Sequence, residues 1–250
     1  MSADIPHTEE WFKTWFDTAY YHLLYRHRDE NEAAFFIHRL IDVLDLRAGD
    51  KVMDLACGRG RHSITLHDAG FEVLGLDLSK NSIRAARTFA RPGLRFEQWD
   101  MRNVYPEKGF ACVFNLFTSF GYFDSMEDNL KVLRAIHSVL AQEGKLVLDY
   151  LNPDALGKID GGTTAVDVEE VQFRTSKYLE NDRVIKEIEV KDGDETHQFK
   201  ESVQLIDLST FQKLFREAGL QITQTFGDYD LGAFVPESSP RIILIAEQMR

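Results

Sequence analysis

The stretch Lys51-Val52-Met53-Asp54-Leu55-Ala56-Cys57-Gly58-Arg59-Gly60-Arg61-His62 constrains this chain more than any other. A short apolar run carries an acid near its end, breaks into a Gly-x-Gly turn and passes at once into helix-compatible sequence. Glycine reaches backbone conformations closed to other residues and lets a ligand come close to the main chain. A helix beginning behind such a turn presents unpaired N–H groups to whatever lies over it. Two further acids at fixed stations give the turn its meaning. Asp77 ends the next predicted strand, 71–76, and Asp100 ends the one after it, 94–99. An acid about 20 residues past a glycine turn, at a second strand end, is placed to grip a ribose diol. With Leu78 beside Asp77 and Met101 beside Asp100, the layout suits an adenosine. Its ribose would sit on Asp77, its amino group near Asp100, and its ring faces against Leu78 and Met101.

On these residues the chain resembles the class I S-adenosylmethionine-dependent methyltransferases, from about residue 50 to 151 and more loosely to the C-terminus. Asp54, Gly58 and Gly60 match that family's acid-x-x-x-Gly-x-Gly, Asp77 its ribose acid and Asp100 its adenine-side acid. Leu-Ala-Cys-Gly-x-Gly-Arg-His-Ser, and Asn-Leu-Phe-Thr-Ser-Phe-Gly-Tyr-Phe from Asn115 onward, resemble one bacterial branch that acts on small molecules. The resemblance implies a Rossmann-like seven-stranded α/β sheet and S-adenosyl-L-methionine as cofactor. It implies cofactor-facing positions at Asp54, Ala56, Cys57, Gly58, Gly60, His62, Asp77, Leu78, Asp100, Met101, Asn115 and Phe117. A side chain at Gly58 or Gly60 should push the main chain or clash with the cofactor, so Gly60→Val is expected to fold without binding it. A dinucleotide-binding oxidoreductase is the competing reading, but its third glycine is Ser63 here.

Composition agrees. With 250 residues, 44% of them apolar, the chain can bury one large core, with or without a small appendage. Its two cysteines, Cys57 and Cys112, fall in motif or core positions, so no disulfide framework is expected. Histidines and cysteines show no metal-ligand spacing, and no metal is expected. The first residues lack a basic region and an apolar stretch, and no apolar run approaches a membrane span, so a cytoplasmic protein without a membrane partner is expected. The formal charge of -12 argues against a nucleic-acid partner. Arg84, Arg87, Arg91 and Arg95 read as a solvated helix face. The Asn/Asp-Pro-Pro-aromatic motif of base-directed amino-methyltransferases is replaced by Asn115-Leu116-Phe117-Thr118.

Helix-compatible segments at 9–25, 31–44, 61–69, 79–90 and 125–140 combine with apolar strands at 52–55, 71–76, 94–99, 111–116 and 145–151. From 52 to 151 the two alternate, which implies right-handed crossovers and a parallel sheet covered on both faces. Residues 162–206 differ: strands at 166–176, 183–190 and 198–205, with turns at 180–182 and 191–194, read as an antiparallel β insertion. The chain is then expected to return to the sheet through a helix, 209–218, and strands 221–226 and 241–246. The division expected is a cofactor domain, 1–161 with 207–250, carrying N-terminal lid helices, and an insertion, 162–206, over the substrate site.

Tyr21, Tyr25 and Arg28 share one helical face at i, i+4, i+7 spacing. In similar enzymes an aromatic, arginine-bearing N-terminal helix reaches the methionine carboxylate; packing of an amphipathic helix is the alternative. His62 lines the cofactor or sits on the surface, and Cys57 packs. Family position puts Thr118–Tyr122 beside the transferring methyl, with Tyr122 the candidate for orienting the acceptor or relaying its proton; packing under the lid is its alternative. The acceptor site is expected between the N-terminal helices, residues 117–123 and the insertion. Tyr20, Tyr21, Tyr25, Phe173 and Tyr178 suggest a water-poor pocket for a small, partly apolar molecule. With no strong acid/base constellation in view, a nitrogen acceptor is favoured over oxygen. A protein or tRNA methyltransferase, or a regulatory protein that binds the cofactor without turnover, are the alternatives, and the oligomeric state is open.

Overall fold

The structure, a computed structural model, describes residues 10–26, 30–157 and 162–249, and the side chains of these except at 30–32. The chain enters through α1 (Trp11–Trp15), α2 (Ala19–Leu24) and α3 (Glu30–Leu44). It then alternates β1 (Lys51–Leu55), α4 (Arg61–Asp68), β2 (Glu72–Asp77), α5 (Lys80–Ala86), β3 (Leu94–Gln98), β4 (Phe110–Asn115), α6 (Met126–Val139) and β5 (Leu140–Leu151). Four strands follow, β6 (Thr163–Val168), β7 (Val171–Glu180), β8 (Arg183–Asp192) and β9 (Glu195–Gln204). Last come α7 (Leu208–Glu217), β10 (Leu220–Phe226) and β11 (Arg241–Gln248).

The main sheet has seven strands in the order β10-β11-β5-β4-β1-β2-β3. Strands β1 to β5 pair in parallel, with helices making the crossovers β1–β2, β2–β3 and β4–β5 and a helix-free connection leading from β3 back to β4, while β11 runs antiparallel between β5 and β10. One cluster of buried residues joins α3, α4 and α5 to one face, through Phe36, Leu40, Leu66 and Ile83. The other joins α6, α7 and the N-terminal helices to the opposite face, through Leu133, Phe211, Phe215 and Trp15. From β1 the chain builds outward through β2 and β3, then returns to lay β4 on the other side of β1. That reversal opens a crevice beyond the carboxyl ends of β1 and β4, where ligands of open α/β sheets bind.

Two elements differ from expectation. The single N-terminal helix is two short ones, because Thr18 is extended at the junction. Its hydroxyl oxygen accepts from the Tyr21 N–H (3.1 Å) and its O–H donates to the Trp15 carbonyl (2.8 Å). The break turns α1 so that Trp11, Phe12 and Trp15 are buried. The run 166–176 is a hairpin rather than one strand, turning at Glu169-Glu170 with Val168 opposite Val171. Glu169 takes a left-handed conformation (φ 56°) that its residue type does not advertise.

Strands β6–β9 form a separate antiparallel sheet. Its inner edge is tied to the loop after β4: the Arg183 guanidinium donates to the carbonyls of Tyr122 (3.0 Å) and Phe123 (3.1 Å), and the Gln204 N–H to that of Gly121 (2.9 Å). From the other side the Trp15 indole N–H donates to Glu201 (2.7 Å). No described helix is long and apolar enough to cross a membrane.

Candidate active site

The turn after β1 is built from left-handed residues, Ala56 (φ 65°), Gly58 (φ 56°) and Gly60 (φ 88°). It is stitched to β2 by the Cys57 N–H donating to the Leu76 carbonyl (2.9 Å). Asp77 is the hub: one oxygen accepts from the Gly58 N–H (2.8 Å) and the other from the Ser79 N–H (2.8 Å). Burial nevertheless raises its pKa above the ordinary carboxylate value, against the pull of those two donors. Beside it Leu78, Trp99, Asp100 and Met101 line a pocket that Phe12, Phe16 and Tyr21 roof from the N-terminal side. The roof is fastened by Asp17, which accepts from the Ser79 hydroxyl (2.6 Å) and the Asn81 N–H (2.8 Å). Asp100 is held by Arg102 (2.6 Å), which also bridges to Glu10 (2.8 Å). Burial raises the Asp100 pKa but the Arg102 hydrogen bonds outweigh it, so the group stays below the usual range and ionised.

The two glycines of the turn do different work. A Cβ at Gly58 would meet nothing within 4 Å, and the residue lines the space above the turn. A Cβ at Gly60 would stand 2.7 Å from the buried Phe96 ring, and Gly60 lines neither that space nor the pocket. Gly60 is therefore a close-packing glycine between α4 and β3, which corrects the expectation that both positions face the cofactor.

Next to the pocket a larger cavity of about 780 Å³ extends over the carboxyl ends of β1 and β4. Phe16, Tyr21, Ala56, Gly58, Ser119 and Tyr122 belong to the walls of both. Asp54, Cys57 and His62 form its floor. Asp54 is 1% exposed and accepts from the Ser63 hydroxyl (2.5 Å). Burial lifts its pKa to about 6; the Ser63 hydrogen bond opposes the rise and the charge of Asp77 adds to it. Burial also drives the Cys57 thiol well up, so it stays protonated. His62 lies against the Phe117 ring (centroids 4.9 Å apart), and the Arg61 guanidinium stands 4.8 Å from the same ring.

The loop after β4 carries two consecutive left-handed residues, Phe117 (φ 56°) and Thr118 (φ 59°). Such conformations cost about 1–3 kcal/mol each and persist only where the surroundings impose them. Asp149 imposes them: its carboxylate accepts from the Phe117 N–H (2.7 Å) and from Arg241 (2.8 Å), and its carbonyl from the Thr118 N–H (3.0 Å). Tyr122 packs among Trp11, Phe12 and Phe16, and its hydroxyl donates to the Thr118 carbonyl.

Most of the residues singled out in the sequence thus meet around one opening, but not all. Asn115 is fully buried beneath the loop, donating to the carbonyls of Leu55 (3.1 Å) and Ser119 (3.2 Å), and lines neither space. Arg28 lies outside the described residues. Tyr21 and Tyr25 reach the larger cavity with rings 5.1 Å apart. Of the other expected pocket aromatics, Tyr20 bonds Asp192 (2.9 Å), Phe173 is buried in the core and Tyr178 bonds Glu187 (2.9 Å). In their place the insertion presents Lys177, Lys186 and Glu201, together with Val184 and Val203. Glu201 accepts from Trp15 and from the Tyr25 hydroxyl (2.8 Å), to which Lys186 also donates (2.7 Å). These charged residues sit in an alternating strand pattern far from the motif, so no sequence signal singles them out.

A family described as a methyltransferase domain matches residues 46–218. A glycine/sarcosine N-methyltransferase of Aphanothece halophytica is 31% identical over 81% of this chain and 76% of its own length. Among solved structures, an S-adenosylmethionine-dependent methyltransferase from Clostridium acetobutylicum aligns over 92% of this chain and 96% of its own, with a TM-score of 0.79 at 21% identity. A SAM-bound amino pentose methyltransferase from Micromonospora echinaspora does so over 92% and 97%, with a TM-score of 0.69 at 23% identity. The chain belongs to the methyltransferase-domain family, with the class I fold, and is an S-adenosylmethionine-dependent methyltransferase.

The residues present fit that cofactor. Asp77 is a carboxylate fixed by backbone donors at the wall of a pocket with apolar faces, and Gly58 leaves open space above the turn. Asp54 is a second carboxylate, costly to ionise where it stands and therefore relieved by a neighbouring cation.

Proposed function

We propose that this enzyme methylates a nitrogen of a small molecule held between the N-terminal helices, the loop 117–123 and the β insertion. S-adenosylmethionine supplies an activated methyl group on a sulfonium, open to in-line displacement by a lone pair. Asp77 holds the ribose, Leu78 and Met101 cover the adenine faces near Asp100, and Gly58 and Ala56 leave room for the methionine part. Asp54 balances its positive charge. Phe117 and the strained loop fix the wall where the acceptor enters, and Tyr122, with its hydroxyl turned to Thr118, shapes that wall and orients the acceptor. Tyr21 and Tyr25 close the site from above and exclude water. The insertion 162–206, as a unit distinct from the cofactor domain, roofs the acceptor half.

The observation that carries this reading is the shared wall: the pocket at Asp77 and the cavity under the insertion meet at Gly58, Ser119 and Tyr122. A donor on one side and an acceptor on the other would meet there. The glycine/sarcosine N-methyltransferase similarity supports nitrogen as the accepting atom. Incubation with methyl-labelled cofactor and a cell extract should put label into low-molecular-weight amines. Label in protein or RNA, or on oxygen, would overturn the acceptor class proposed.

Asp54 gives the reading a pH signature. Its folded pKa of about 6 exceeds the unfolded value of about 3.9, so the folded state holds the extra proton between those limits. Raising the pH through that window therefore removes stability, on the order of 3 kcal/mol by pH 7. A cationic ligand lowers the pKa again, so cofactor affinity should fall as pH drops below about 6. Asp54→Asn should melt later than wild type at pH 7.5 and bind cofactor about tenfold or more weakly, with a smaller pH dependence than wild type between 5 and 7. Thermal melts and calorimetry across that range check both signs.

A further inference from the structure

We propose that the acceptor carries an oxyanion, a carboxylate or phosphate, held at the cavity mouth by Lys177 and Lys186 of the insertion and Arg59 of the glycine turn. This deepens the methyl-transfer reading above and rests on it.

In the β7–β8 register Lys177 is directly opposite Lys186, and both line the cavity. Like charges facing each other across a strand pair destabilise it. The same-face pairs on either side, Thr175 with Ile188 and Leu179 with Val184, show no such conflict. Arg59 faces the same cavity from the sheet side. Arg59 stays largely exposed, and its partial burial lowers its pKa. No carboxylate of the described residues lies within 4 Å of Arg59 or Lys177.

The other charges on this wall are accounted for. Arg241 is paired with Asp149 (2.7 Å) and Arg26 with Glu169 (2.8 Å). Arg61 stands over Phe117, and its charge acts on Asp54. Asp54 itself lies at the turn end, bonded to Ser63. Glu201 faces Lys186 across β8 and β9, where its oxygen takes the Trp15 and Tyr25 donors. The unbalanced cations are therefore Arg59 and Lys177, with Lys186 beside them, in a chain whose formal charge is -12. An acidic surface around a basic mouth focuses the field there and steers an anion inward. An arginine fork and two ammonium groups also match oxyanion geometry. To the small, partly apolar acceptor that the sequence points to, the cations of the insertion add an anionic group.

The test uses the full chain saturated with S-adenosylhomocysteine and titrated calorimetrically with inorganic pyrophosphate and with succinate. At least one should bind, more weakly as salt rises, and the tighter of the two tells phosphate from carboxylate. Lys177→Glu should weaken that binding about tenfold or more and Lys177→Gln by less, with S-adenosylhomocysteine affinity unchanged. Lys213→Glu, the same charge reversal on the exposed face of α7, should leave it as in wild type. If neither anion binds the cofactor-loaded protein, or Lys213→Glu weakens binding as much as Lys177→Glu, the proposal is wrong. Failure of wild type to bind S-adenosylhomocysteine would instead overturn the methyl-transfer reading beneath it.

Discussion

Gly58→Val should yield a folded protein that no longer binds S-adenosylhomocysteine, whereas Gly60→Val should melt far earlier than wild type. The two glycines are two residues apart and both left-handed, so each valine costs about 1–2 kcal/mol of backbone strain. They diverge in what the new side chain meets. At Gly58 it enters open space over the turn, where the cofactor is proposed to lie, and the fold keeps its packing. At Gly60 it strikes Phe96, a ring 3% exposed with no room to turn, and overpacking adds about 1–3 kcal/mol or more. Against a total stability of about 5–15 kcal/mol that sum is large. Circular dichroism melts and calorimetry on both variants read the contrast. Normal cofactor binding by Gly58→Val would remove the turn from the site, and a wild-type melt for Gly60→Val would contradict the packing role.

Asp77→Ala should weaken the cofactor by roughly 2–4 kcal/mol, about 30- to 1000-fold, as loss of a charged acceptor to a desolvated hydroxyl pair does. The substitution also strands the Gly58 and Ser79 N–H groups that the carboxylate now satisfies, so some loss of stability goes with it. Asp77→Asn separates the effects. It keeps one acceptor for the backbone but cannot accept from two hydroxyls with both oxygens, so it should fold better than the alanine variant and still bind weakly. Calorimetry on the folded fraction checks this. An unchanged affinity in Asp77→Ala would mean that the ribose is held elsewhere.

The part of this fold legible in sequence is the part written locally. The strand, glycine turn and helix at 51–68, and the acids that close β2 and β3, are each set by neighbours a few residues away, and they lie where the spacing predicts. The parallel pairs β1–β2, β2–β3 and β4–β5 follow from the helix between their strands, whereas the helix-free return from β3 to β4 does not announce its direction. Features that depend on distant partners were not legible. The break at Thr18, capped locally, carries Trp15 against Glu201 of the insertion, a partner 186 residues away, and the turn at Glu169 goes with the pairing of β6 with β7. Gly60 and Gly58 look alike as letters, and only Phe96, brought in by β3, tells them apart. Tyr20, Phe173 and Tyr178 lie away from the cavity for the same reason. Alternation says that residues of β7, β8 and β9 share a face, but not that Lys177, Lys186 and Glu201 are the ones over the strand ends. Asn115 sits where the motif implies a ligand contact, yet the depth of β4 in the sheet hides its side chain beneath the loop.

The organisation of donor and acceptor around one shared wall is tested most directly by an experimental structure of the full chain with S-adenosylhomocysteine bound. The expected result has both ribose hydroxyls within hydrogen-bond distance of Asp77, the adenine between Leu78 and Met101, and the sulfur above Gly58 facing the cavity that Lys186 and Glu201 line. Adenosine seated away from Asp77, or a sulfur pointing away from that cavity, would contradict it.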